Sequence, residues 1–337
     1  MIRVRSAFIY LTERCNLDCR YCYFRHKKQA ELSRETVFRF LKALAEANAV
    51  PMAFELSGGE PLLCWELFVE TARMIRRQFP SSSIGVQTNG LLLTPAKAAF
   101  LKQYRFNVEI GIDGAEAVTA RWRRGMGPAG FKRLVGNIEA CVARGLPVDC
   151  TMTVHPREAM RLKAGFLFLR HLGIRNIDIT PAAFMPWTPQ AVRVFKAEYT
   201  QVMGLARVGD LHGEEERVMG KDEVDLSLHP PGHVLGGDVF LCLPPGLKKK
   251  ESLWDLATGK INEGKALNMA RSMRVLMGRV KEAHHRAYVC AGFRMINRMA
   301  GREFVNTRQM IPLMRFLAKA HSLMNAKNTA ESTSGQG

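Results

Sequence analysis

Short apolar runs alternate along the first two thirds of the chain with longer stretches whose apolar residues recur at helical spacing. Ser6 to Tyr10, Met52 to Leu56, Ile84 to Thr88, Asn107 to Ile112, Val148 to Val154 and Asn176 to Thr180 read as strands. Between them, helices are predicted from Ser33 to about Ala49, Trp65 to Phe79, Pro95 to Tyr104, Gly130 to Arg144, Ala164 to Leu172 and Gln190 to about Arg207. Ser33 is a natural N-cap for the first, and its apolar stripe is Val37, Phe38, Leu41, Leu44 and Ala45. The second turns Leu67, Phe68, Ala72, Ile75 and Phe79 inward, and Pro95 suits the first turn of the third. Strands that alternate with helices imply an α/β fold with a parallel sheet and right-handed crossovers.

After about Gly209 the rhythm gives way to Gly, Pro, His and a solvated acidic patch, Glu214 to Glu216, which marks a domain boundary. Val234 to Leu241 suggests a hairpin, residues 265 to 325 suggest helices broken near Gly292 and Gly301, and the small polar residues 326 to 337 suggest a disordered tail. The expected domains are therefore 1–208, 209–325 and 326–337.

Charge adds a possible partner. The formal net charge is +18, and between Lys265 and Lys319 twelve Lys or Arg face only Glu282 and Glu303. A field of that sign suits an anionic partner such as a nucleic acid, an acidic peptide or a phosphorylated compound; a solvated helical face is the plainer alternative. The apolar run Ala7 to Leu11 is too short for a signal-peptide core or a membrane span, so a cytoplasmic location is expected.

The chemistry is concentrated just after the first strand. Cys15, Cys19 and Cys22 fall within one short loop, where three thiols are able to face one metal centre. A cubane cluster takes four thiolates, so three imply an iron left open for chemistry. With His26 the set also fits a tetrahedral Cys3His zinc site. Cys64, Cys141, Cys150, Cys242 and Cys290 are scattered without a pairing rhythm, and no disulfide framework is expected.

The C-x3-C-x2-C spacing, with Tyr21 before the last Cys and Leu11 to Leu17 before and within it, resembles the signature of radical S-adenosylmethionine (radical SAM) enzymes. It is most similar to the branch that carries SPASM or twitch C-terminal extensions. Ser57-Gly58-Gly59-Glu60-Pro61 resembles that family's GGEP motif. The resemblance implies a partial (β/α)6 barrel with a smaller α+β extension, one [4Fe-4S] cluster on Cys15, Cys19 and Cys22, and SAM bound by Gly58, Gly59, Glu60 and Pro61. Further SAM-pocket positions carried over from the family are Tyr21, Asn89, Asp113, Arg124, Thr151 and Thr153. SAM would then be cleaved reductively to a 5′-deoxyadenosyl radical that abstracts hydrogen from a substrate.

Two departures stand out. Gly111 occupies the place where the family often has Ser before Asp-Gly. The region from Val234 to Ile261 resembles half of an extension, but only Cys242 and Cys290 remain to bind an auxiliary cluster, so none is expected unless His229, His233, His284 or His285 help. A peptide or protein substrate and a flavodoxin- or ferredoxin-type reductant follow from the resemblance. Radical modification of a nucleic acid or anionic small molecule, and a non-enzymatic zinc protein, are the alternatives.

Overall fold

The computed structural model describes residues 3–22, 29–46 and 53–206, together with short segments between 223 and 261 and scattered positions from 308 to 320. In chain order the elements are β1 (Arg3–Thr12), β2 (Asp18–Cys19), α1 (Arg34–Glu46), β3 (Ala53–Gly58), α2 (Trp65–Gln78), β4 (Ser83–Thr88), α3 (Pro95–Gln103) and β5 (Phe106–Gly111). They continue with α4 (Glu116–Trp122), β6 (Arg123–Arg124), α5 (Gly127–Ala143), β7 (Val148–Val154), α6 (Leu162–His171), β8 (Ile177–Pro181) and α7 (Pro189–Leu205). Four short strands follow, β9 (Glu223–Leu228), β10 (Val239–Leu241), β11 (Trp254–Asp255) and β12 (Lys260–Ile261).

Two compact units emerge. The first comprises residues 1–111, 123–148 and 219–272, and the second residues 112–122, 149–218 and 273–337. In the first unit the strand order is β12-β11-β10-β9-β1-β3-β4-β5, parallel from β9 to β5 and antiparallel from β9 outward to β12. The sheet is open and its crossovers are helical, the α/β arrangement that the hydrophobic rhythm predicts. β9 is a strand that the rhythm does not announce; it lies parallel beside β1, with Val224 opposite Val4.

One face of this sheet builds the core. Ile9, Phe54, Leu56, Ile84, Val86 and Ile110 have no exposed surface, and neither do Phe68, Ala72 and Ile75 of α2. Phe68 stacks on Phe106 with ring centroids 5.3 Å apart, and Phe54 meets Phe79 at 5.1 Å. Each such side chain contributes about 1.5–3 kcal/mol by burial. Ser33 caps α1 as expected, its Oγ accepting from Thr36 N at 3.1 Å. The buried stripe of α1 is Val37, Phe40, Leu41 and Leu44. Phe38 departs from expectation, being 44% exposed while Phe40 is fully covered, and Ala45 is exposed as well. The i, i+3, i+4, i+7 geometry selects Phe40 and places Phe38 off the stripe.

The second unit pairs β7 with β8 in parallel, Thr151 opposite Asp178 and Thr153 opposite Thr180. Cys150, Met152 and Val154 face its core, whereas Asp149, Thr151 and Thr153 share the half-buried face. Among the described residues no helix is long and apolar enough to cross a membrane. Of the predicted helices of 265 to 325, all but scattered positions from 308 to 320 lie outside the described residues, as do the polar tail, Cys242, Cys290, His26 and the four other histidines named above.

Candidate functional site

The cysteine loop is held by the backbone that enters and leaves it. At the end of β1, Thr12 pairs with Glu31; Leu32 N donates to Leu11 O and Glu13 N to Ala30 O, both at 2.8 Å. The returning segment thus closes the loop at its base. Arg14 reinforces the closure through Glu31 at 3.3 Å. At the other end a two-residue antiparallel ladder joins β2 to β6, setting Asp18 opposite Arg124 and Cys19 opposite Arg123. Cys22 N donates to Cys19 O at 3.0 Å, and Leu17 N to Cys15 Sγ at 3.4 Å. All three thiols are half-buried, while Cys64, Cys141 and Cys150 are buried.

The glycine turn after β3 lies directly against this loop. Gly59 N donates to Thr12 O at 2.7 Å and Glu60 N to Arg14 O at 2.8 Å. A Cβ on Gly59 would stand 2.2 Å from Arg14 O, and one on Gly58, where φ is +133°, 2.3 Å from Thr12 O. No side chain fits at either position, so both glycines are demanded by a backbone-on-backbone contact. Pro61 opens a tight turn, Pro61–Leu63, that leads into α2.

Glu60 is fully buried, and its carboxylate is a structural hub. Oε1 accepts from Leu62 N at 3.1 Å and from Thr88 Oγ1 at 2.7 Å; Oε2 accepts from Asn89 N at 2.8 Å. Burial raises its pKa, and these three donors and the nearby Lys97 work against the rise. Lys97 also clamps the turn, donating to Leu62 O at 2.8 Å. Asn89 in turn reaches the cysteine loop, with Nδ2 2.7 Å from Asn16 Oδ1 and 4.0 Å from Cys15 Sγ, while Oδ1 accepts from Leu91 N at 3.1 Å. Chain ends of β1, β3 and β4 are therefore locked to one another by hydrogen bonds.

An open pocket of about 470 Å³ borders the loop, lined by Cys15, Asn16, Leu17, Asp18, Gln29, Arg124 and Gly125. Arg124 is 66% exposed at its rim and forms an ion pair with Asp18. The neighbouring Arg123 behaves differently: it is only 8% exposed, and its guanidinium lies 5.7 Å from the Tyr21 ring centroid. Sequence reasoning singled out Arg124 from the Arg-Gly pair and passed over Arg123. The available signal was Gly111, whose missing side chain leaves the space that Arg123 enters.

Asp113, Thr151 and Thr153 belong to the second unit. There Asp113 is buried, its Oδ1 accepts from Thr153 N at 3.2 Å, and its own N–H donates to Thr119 Oγ1 at 3.2 Å. Thr151 O accepts from Ile112 N at 3.2 Å. These three residues form one strand-end cluster, whereas the cysteines, Tyr21, Gly58 to Pro61, Asn89 and Arg124 form the cluster of the first unit.

Three half-buried thiols within one loop are a donor set that an iron–sulfur cluster takes. Among the described residues no three Cys, His, Asp or Glu side chains are grouped so as to hold one metal ion. Zinc needs every donor about 2.0–2.3 Å from one point, whereas each thiolate of a cubane binds its own iron.

Comparison with known proteins names the class. Residues 9–161 match the model of the Radical SAM superfamily. The matched stretch is a little under half of this chain, and the superfamily it resembles uses a [4Fe-4S] cluster and SAM. The chain is 26% identical over 177 residues to the serine-type anaerobic sulfatase-maturating enzyme of Klebsiella pneumoniae, covering 50% of this chain and 45% of the relative. It is 32% identical over 162 residues to pre-heme d1 synthase of Dinoroseobacter shibae, covering 45% and 37%. The chain thus spans about half the length, or less, of these curated relatives. In fold it resembles native anSMEcpe with bound AdoMet and Cp18Cys peptide, with a TM-score of 0.65 and 15% identity over 95% of this chain and 99% of that one.

Proposed function

We propose that this chain modifies a peptide or protein by radical chemistry. Cys15, Cys19 and Cys22 would hold one [4Fe-4S] cluster, which together with SAM supplies a 5′-deoxyadenosyl radical for hydrogen abstraction. The observation that carries the reading is the contact of the Gly58-Gly59 turn with the backbone that enters the cysteine loop, Gly59 N to Thr12 O at 2.7 Å. It fixes the glycine turn against the backbone that leads into the three thiols. Glu60 and Asn89 act as positioning residues: the first fixes the turn, and the second ties β4 to the loop beside Cys15. Arg124, at the pocket rim, is suited to an anionic group of SAM or substrate, since a guanidinium pairs with carboxylate in a fork.

A peptide substrate is favoured by likeness to the sulfatase-maturating enzyme and to the peptide-bound structure. A flavodoxin- or ferredoxin-type protein is the assigned reductant, the basic stretch Lys265 to Lys319 the assigned contact for an anionic partner, and no auxiliary cluster is included. The test is anaerobic reconstitution followed by turnover of SAM with a strong reductant. About four irons with matching acid-labile sulfide, and 5′-deoxyadenosine in the product, are expected; Cys19→Ala should lose both. A single zinc without sulfide would replace this reading with the zinc protein, and a full cluster that leaves SAM intact would overturn it.

A further inference from the structure

We infer that Asn89 tunes the reduction potential of the cysteine loop's cluster by presenting its NH2 group to Cys15, and that Asn137 of α5 aims it there; this rests on the cluster reading above. The rest of Asn89 is engaged elsewhere. Its backbone N–H donates to Glu60 Oε2 at 2.8 Å, and its Oδ1 accepts from Leu91 N at 3.1 Å. Because Leu91 N–H is a donor, the amide oxygen must face it, and the two hydrogens of the NH2 point the other way. On that side Nδ2 lies 2.7 Å from Asn16 Oδ1 and 4.0 Å from Cys15 Sγ. Leu17 N, at 3.4 Å, gives the same sulfur a backbone donor. The Asn89 contact is the longer of the two and acts on Cys15 through the dipole of its N–H.

Helix α5 supplies the clamp. Asn137 Nδ2 donates to Gly90 O at 2.8 Å and lies 3.5 Å from Leu91 O. Leu134, one turn earlier on the same helix face, enters the space beside Gly90, where a Cβ would stand 2.6 Å from its Cδ1. The turn that carries Asn89 is thus fixed from α5, and with it the direction of the carboxamide. Asn89 is 8% exposed, so water competes little for its NH2.

A thiol that binds metal does so as a thiolate. N–H groups aimed at such a sulfur favour its negative charge, and favour further the charge gained on one-electron reduction, which raises the potential. Asn89 therefore holds the cluster at a less negative potential than the same loop without its carboxamide. It acts through the Cys15 sulfur, and Asn137 acts through Asn89, so both are positioning residues.

The test is a redox titration of the anaerobically reconstituted full chain, read by electron paramagnetic resonance, in wild type, Asn89→Ala, Asn89→Asp, Asn137→Ala and Arg133→Gln. Arg133 is an exposed residue of α5 and serves as the control. At a fixed poise, Asn89→Ala should show a reduced-to-oxidised ratio about threefold lower, a shift of ~28 mV to more negative potential. Asn89→Asp keeps an acceptor for Leu91 N but brings a carboxylate to Cys15, so its ratio should fall further, about tenfold or ~59 mV. Asn137→Ala should move in the same direction by less than Asn89→Ala, and Arg133→Gln should titrate as wild type. A purely structural role gives the opposite order, with Asn89→Asp nearer to wild type because it keeps the Leu91 bond. That order, or an Asn89→Ala cluster at the wild-type potential, overturns the inference, and Asn137→Ala at the wild-type potential overturns the part given to Asn137. If Asn89→Ala does not load iron, Asn89→Asp decides: a loaded cluster at a more negative potential upholds the role. A wild-type potential there, or no loading, assigns Asn89 to loop folding and overturns it. Failure of the wild-type chain to form a four-iron cluster would instead count against the proposed function, which separates the two outcomes.

Discussion

Glu60 Oε2 accepts the backbone N–H of Asn89 at 2.8 Å, which fastens the end of β3 to the end of β4 through a carboxylate with no exposed surface. Oε1 takes two further donors, Leu62 N and Thr88 Oγ1. Every neighbour is a donor, so the site requires an acceptor at both oxygens. Glu60→Gln places an NH2 where one of them stood; with the amide oxygen kept at the doubly bonded position, that NH2 faces Asn89 N–H. A cost of about 1–3 kcal/mol is expected from the lost and opposed hydrogen bonds. Chemical denaturation of the variant against wild type measures it, and an unchanged midpoint would refute the hub.

Gly59 has no room for a side chain. Its substitution by Ala sets a Cβ 2.2 Å from Arg14 O, a backbone atom that has no rotamer by which to move aside. Gly59→Ala should therefore destabilise the first unit by about 1–3 kcal/mol and displace the backbone entering the cysteine loop. Gly136→Ala, in α5 with nothing within 4 Å of the new Cβ, should be neutral or stabilising by up to about 1 kcal/mol. Paired urea titrations and iron analysis after reconstitution test this, and equal iron loading in the two variants would contradict it.

The fold and the motif loops were readable because each rests on local chemistry. Val148–Val154 was legible from its strict alternation of buried and half-buried positions, and the glycine turn from two adjacent residues without Cβ. What escaped depends on contacts distant in sequence. Arg123 and Arg124 are indistinguishable as neighbours in a basic turn, and only pairing with Asp18 and Cys19 sends one out and the other in. Glu60 is legible as part of the glycine motif, but the donors that Thr88 and Asn89 bring to it from twenty-eight and twenty-nine residues later are not. Phe38 was misplaced for a smaller reason, since its neighbour two residues on fits the helical stripe better.

Cys64 follows the glycine turn closely, yet its chemistry opposes that of the loop thiols. Burial pushes its pKa up to about 12, and its Sγ donates to Pro61 O at 3.2 Å. Since the thiolate is the nucleophile and the metal ligand, Cys64 should remain inert. In the native chain without iron, brief iodoacetamide treatment near neutral pH should label Cys15, Cys19 and Cys22 before Cys64, Cys141 and Cys150, as read by peptide mass spectrometry. Cys64→Ala should load iron as wild type does; loss of iron from that variant would bring Cys64 into the metal site.

Glu55 supplies a pH dependence whose sign follows from its surroundings. Its partner in the β3–β4 register is Gly85, and a Cβ there would lie 1.9 Å from Glu55 Oε2, so the carboxylate lies across the neighbouring strand in the space that the glycine leaves. Burial first, and repulsion from Glu109 second, raise its pKa well above the ordinary value of 4.5. The folded state thus keeps Glu55 protonated in a range where the unfolded chain ionises it. Relative to a neutral group, its contribution to stability is fully present below the ordinary carboxylate value and is lost as pH rises through the raised one. Other carboxylates titrate over the same range, so the informative quantity is a difference between two chains. The stability of wild type minus that of Glu55→Gln should fall as pH is raised from about 4 to about 8, read from denaturant midpoints at each pH. A difference that stays constant, or that rises, would show that Glu55 is ionised in the folded chain as readily as in the unfolded one, and would remove the carboxylate from the niche beside Gly85.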